Sequence, residues 1–128
     1  MTGVERQKEI IFENIRKSEF AVRPSRRSAF WLFDDYALAL RLGEAWGLNR
    51  NRELMEVVIS LKINLFKADA KWLNCYPQDY IINARRYWSG EMSTDPTPEV
   101  LLDGKIKLLG DNWKDKAQLN WVPRNPII

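Results

Sequence analysis

Residues 56–65 alternate with a period of two. Val57, Ile59, Leu61, Ile63 and Leu65 are apolar, and Glu56, Val58, Ser60, Lys62 and Asn64 stand between them. Successive side chains of a strand point to opposite faces, so this run predicts a half-buried strand rather than a helix. A shorter apolar run, Ala29-Phe30-Trp31-Leu32-Phe33, predicts a buried strand. Residues 99–109, EVLLDGKIKLL, predict two short strands around Asp103-Gly104, a dipeptide that favours hairpin turns.

Helical signals lie between these strands. Thr2 and Glu5 fit a capping box, and Val4, Ile11 and Ile15 recur at helical spacing with Ile10 and Phe12 beside them. They predict a helix over residues 3–18, stopped before Pro24, with residues 25–28 as a turn. Asp34 or Asp35 is placed to cap a second helix carrying Leu38, Leu42, Ala45 and Trp46 and ending at Gly47. Pro77 opens a third, with Tyr80, Ile81, Ala84, Tyr87 and Trp88 along it and Gly90 at its end. Residues 67–76 read as an irregular crossing and residues 89–98 as a loop. The expected fold class is α+β: a small mixed or antiparallel sheet with about three helices. One domain is expected over residues 1–112, with residues 113–128 as a loose or docked tail.

The residue inventory narrows the chemistry. With one cysteine, Cys75, and no histidine, an intrachain disulfide, a zinc site and a Ser-His-Asp triad are all excluded. No apolar run reaches the roughly 20 residues of a membrane span. The charged N-terminal stretch lacks a signal-peptide core, so a cytoplasmic location and no membrane partner are expected. No GxxxxGK[ST] occurs and no glycine-rich βαβ unit is visible, which argues against a P-loop or a Rossmann domain. Residues 1–33 hold seven Lys/Arg against four Glu, whereas residues 34–128 hold thirteen of each sign. The excess of positive charge is therefore local. It points to an anion site and away from a nucleic-acid face.

That excess centres on Arg23, Ser25, Arg26, Arg27 and Ser28, at the mouth of the first predicted strand. Arginine forks bind phosphate oxygens in pairs, so the group reads as a phosphate clamp. The plain alternative is a solvated turn whose serines cap nearby backbone. Glu99 is either a functional acid or a surface glutamate beside a proline. Asp69 is either an acid in a cleft or a turn-former paired with Lys67 or Lys71. Trp72, close to Tyr76, is the candidate for stacking on a flat ligand, with a place in the core or an interface as its alternative; Trp31, Trp46 and Trp88 are expected in the core. Cys75 reads as a small buried hydrophobe, and Arg85 and Arg86 as stabilisers of a helix C-terminus.

Several short pieces carry a resemblance when taken in order. They are Pro24-Ser25-Arg26-Arg27-Ser28 before an aromatic strand, a helix at residues 37–46, and Ala68-Asp69-Ala70 after the long strand. Ala84-Arg85-Arg86-Tyr87-Trp88 at a helix end and Pro98-Glu99-Val100-Leu101-Leu102-Asp103-Gly104-Lys105-Ile106 complete the set. Over roughly residues 8–109 the chain resembles an uncharacterised bacterial and phage family with a toxin-like ADP-ribosyltransferase fold. The resemblance implies a compact split sheet around a cleft for NAD or a related nucleotide. There the nicotinamide–ribose bond breaks toward an oxocarbenium ion and ADP-ribose passes to a protein or other acceptor. It implies Ser28 (or Ser25) as the hydroxyl lining the nicotinamide pocket and Glu99 as the carboxylate that holds the ribose hydroxyl. The family's first-strand motif has no counterpart here, and Arg23 or Arg26 takes its place as a pyrophosphate clamp. The alternative function is a non-catalytic interaction protein, a phage- or mobile-element-encoded inhibitor or immunity factor that uses the same fold to bind a protein partner.

Overall fold

The computed structural model describes residues 3–35, 37, 38, 41 and 57–108. In chain order these form α1 (Gly3–Glu19), β1 (Phe30–Leu32), β2 (Val57–Asp69), a 3-10 turn (Ala70–Leu73), a second 3-10 turn (Pro77–Asp79), α2 (Tyr80–Ser89) and β3 (Pro98–Leu108). The strands make one sheet in the order β1-β3-β2, and both pairings are antiparallel. The fold is α+β, with two α-helices among the described residues.

β3 is one continuous strand, and this corrects the hairpin expected at Asp103-Gly104. Leu102 pairs with both Phe30 and Leu65, and Gly104 lies opposite Lys62 inside the ladder. Glycine is required there for a different reason. A β-carbon on Gly104 would collide with the carbonyl oxygen of Leu61, which approaches where β2 is irregular.

The long alternation is also only partly realised. β2 is bulged between Ile59 and Leu61 and again between Lys62 and Asn64. Each bulge sets an extra residue against β3 and reverses the phase of the pattern. Val57 is buried, but Leu61, Ile63 and Leu65 are exposed, with Ile63 at 68%. The strand also runs on through residues 67–69, expected as irregular crossing, and there Phe66 and Ala68 become its buried positions.

Facing residues of an antiparallel pair share a face, so the register sorts the core into two clusters. On one face Phe66, Ala68 and Leu101, with Trp31, pack with Phe12 of α1 and Ala84, Tyr87 and Trp88 of α2. On the other face Leu32, Val57, Val100 and Leu102 form a second cluster with Phe30, Ile59 and Ile106. The helix face is aromatic. The Tyr87 ring meets Trp88 edge-on at 4.7 Å and Phe12 at 5.8 Å, and Phe66 stacks on Trp88 at 5.9 Å. Such pairs contribute about 0.5–1.5 kcal/mol each beyond the area they bury.

Phe12, expected beside the stripe of the first helix, is its fully buried centre, and the Trp88 indole N–H donates to its carbonyl at 2.8 Å. In α2 the inner position expected for Ile81 belongs to Asn83, three residues after Tyr80 and four before Tyr87; Ile81 is exposed. Gly90 ends the helix in the left-handed region, at φ 85°. The capping role of Asp35 is visible, since its Oδ1 accepts the Leu38 N–H at 3.1 Å. Leu42, Ala45, Trp46 and Gly47 of that expected helix, Thr2 of the capping box and the tail at 113–128 lie outside the described residues.

Candidate functional site

Glu99 is the second residue of β3 and lies opposite Ala68 of β2, so its side chain faces the helices. It is buried there, at 5% exposure. The turn between α1 and β1 brings Arg26 to the same place from 73 positions earlier in the chain, and the Arg26 Nη1 donates to Glu99 Oε1. The same Nη1 donates to Tyr87 Oη at 2.8 Å, and the Tyr87 hydroxyl donates to Glu99 Oε1 at 2.5 Å. On its other side the guanidinium meets Glu9 of α1, with Nε and Nη2 each 3.2 Å from a carboxylate oxygen. The Trp31 ring lies 4.4 Å from its centre. Arginine is suited to this position because a planar fork can satisfy two carboxylates and an aromatic face together.

Burial works against the charge on Arg26, but Glu99, Tyr87 and Glu9 outweigh it and hold the guanidinium pKa above its ordinary value. Burial, together with the Glu99 charge, pushes the Tyr87 phenol well above the usual tyrosine value, so it stays protonated as a donor. Both hydrogen bonds received by Glu99 land on Oε1. Among the described residues Oε2 accepts none. Ser93 Oγ is the one fully enclosed side-chain polar atom without a partner among the described residues.

The segment leading into Glu99 is pinned by Asp69. This carboxylate is fully buried and accepts the backbone N–H groups of Lys71, Ser93 and Thr97 at 2.8–2.9 Å. Burial raises its pKa, but hydrogen bonds from Ser93, Thr97 and Lys71 prevail and hold it below the ordinary aspartate value. Asp69 thus engages the Lys71 backbone, whereas the Lys71 ammonium pairs with Asp95 and Lys67 pairs with Asp34.

The other residues singled out in the sequence are placed as follows. Arg23 lies over the Phe66 ring at 4.3 Å and donates to the Trp88 carbonyl at 3.2 Å. Ser25 donates to Glu13 at 2.8 Å, and Glu13 is also paired with Arg16. Ser28 and Arg27 are exposed on the turn that carries Arg26. Trp72 donates to the Glu91 carbonyl at 2.7 Å, and the Arg86 guanidinium covers its ring at 5.0 Å. Arg85 pairs with Glu19 at 2.9 Å and so ties α2 to α1. Cys75 is half-buried, and burial pushes its thiol pKa up.

The structure therefore brings together Arg26 and Glu99, and it leaves Trp72 and Ser28 outside their hydrogen-bonded cluster. Glu9 and Tyr87 belong to the cluster and were missed as site residues. Tyr87 reads as a core aromatic in sequence, and Glu9 as an ordinary helix charge. A signal did exist: Glu9 precedes Glu13 by one helical turn, and both carboxylates face the arginine turn.

A family model described as a protein of unknown function (DUF2441) matches residues 3–116. That is most of the chain, and the chain belongs to this family. No curated protein matches the sequence.

Proposed function

We propose that this member of the DUF2441 family is an ADP-ribosyltransferase-like domain that binds NAD as its co-substrate, with Glu99 as the carboxylate that receives a ribose hydroxyl. The observation that supports this reading is the state of the Glu99 carboxylate. One oxygen is held by Arg26 and Tyr87, and the other accepts nothing among the described residues. A fixed carboxylate with one oxygen not so engaged can orient a hydroxyl and stabilise positive charge developing beside it.

The residues fit one end of NAD better than the other. Glu9 and Glu99 outnumber Arg26 in charge, so the cluster favours a cationic or hydroxyl-bearing group over a pyrophosphate. Arg26 is engaged on all sides by Glu9, Glu99 and Tyr87 and serves to hold Glu99. Donors for phosphate are the exposed Arg27 and Ser28 on the same turn. Bound NAD would supply the activated glycosidic bond. The chain supplies the carboxylate and its charge partner, Arg26.

Transfer of labelled ADP-ribose from NAD tests the reading. Glu99→Gln is expected to lower the rate by about a hundredfold or more while the melting curve stays cooperative. Transfer at the wild-type rate would remove Glu99 from the mechanism.

A second reading, non-catalytic binding of a protein partner, is favoured by one observation. Leu61, Ile63 and Leu65 are each exposed on β2, an edge strand among the described residues. Stoichiometric co-purification of one protein without any response to NAD would support it.

A further inference from the structure

We infer that Tyr87 is a positioning residue for Glu99, an inference that rests on the role proposed above for that carboxylate. Tyr87 is fully buried, and its ring is boxed by Phe12 at 5.8 Å, Trp88 at 4.7 Å and Phe66 at 6.3 Å. Packing of this kind leaves the ring one orientation, so the core itself fixes where the hydroxyl lies. The hydroxyl receives from Arg26 and donates to Glu99 Oε1. A hydroxyl that accepts from a cation is polarised and becomes a stronger donor. The result is a directed chain, guanidinium to phenol to carboxylate, that ends on one oxygen.

This arrangement determines which oxygen of Glu99 meets the substrate. Oε1 is held twice, by Arg26 and by Tyr87, and the carboxylate plane is thereby set with Oε2 as the acceptor that neither of them engages. Without the phenol the carboxylate keeps its ion pair but can rotate about it. The orientation is then lost while the charge remains. Tyr87 touches neither face of the proposed substrate site, so its effect falls on turnover and leaves substrate affinity alone.

Tyr87→Phe keeps the ring and removes only the hydroxyl. In the transfer assay it should lower kcat about tenfold to a hundredfold, as expected for losing a hydrogen bond to a charged group, with KM for NAD unchanged. In the Glu99→Gln background the same change should cost nothing further, because Tyr87 acts through that carboxylate. A matching cycle on urea unfolding checks the contact without reference to activity, and coupling between the two positions is expected there too. Wild-type kcat in Tyr87→Phe alongside an inactive Glu99→Gln would overturn the positioning role and leave the Glu99 role standing. Equal losses from Tyr87→Phe with and without Glu99 would also overturn it. Full transfer by Glu99→Gln, or none by the wild type, would overturn the underlying reading itself.

Discussion

Asp69 shows how much one side chain can organise. It accepts three backbone N–H groups from two separate segments, and no neighbouring cation is needed to keep it charged. Asparagine in its place would turn an amide toward donors, leaving at least one of them unpaired. Asp69→Asn is expected to destabilise the fold by about 3 kcal/mol at neutral pH, read from urea unfolding. The pH dependence has a definite sign. The folded pKa of Asp69 lies below its unfolded value, so its contribution is fully present above the unfolded pKa, about 3.9. It is lost as pH falls through the folded value. The gap between wild type and Asp69→Asn should therefore narrow below about pH 4. A gap that stays constant down to the folded pKa and beyond would show that the carboxylate charge contributes nothing.

At the scale of elements, the strand ladder carries the clearest test. Gly104 sits where the bulged β2 brings the Leu61 carbonyl against β3, and no side chain fits. Gly104→Ala is expected to destabilise by about 2 kcal/mol or more through forced displacement of the two strands, seen as a lower denaturation midpoint. Full stability in that variant would show that the bulge relaxes freely. The same position shows what the sequence could convey. Asp103-Gly104 carries a turn signature, yet the need for glycine comes from a carbonyl 43 positions away, which no local pattern can announce. Periodicity did reveal α1, α2 and the existence of β2, since those depend on spacing alone. It failed within β2, where the bulge between Ile59 and Leu61 turns Leu61 away from the face that buries Ile59. Arg26 and Glu99 were each legible as residues of interest. Their contact was not, because it depends on how the α1–β1 turn packs against the far end of β3.

Across the whole molecule, a helix layer and a sheet are joined by an aromatic core, with a charged cluster set into its edge. α1 contributes Glu9 and Phe12, α2 contributes Tyr87 and Trp88, and β3 contributes Glu99 and Leu101. A buried ion pair of this kind is costly to assemble and gives little net stability over a well-packed apolar alternative. Its presence where α1, α2 and β3 meet agrees with the role proposed for Glu99. A ligand that binds only the folded chain must raise its melting temperature. The direct measurement is thermal unfolding of the wild type and of Glu99→Gln, each with and without millimolar NAD. The wild type is expected to melt several degrees higher with NAD, as for a ligand about tenfold above its Kd, and Glu99→Gln to rise less. An unchanged melting temperature for the wild type, or equal rises in both proteins, would contradict this reading.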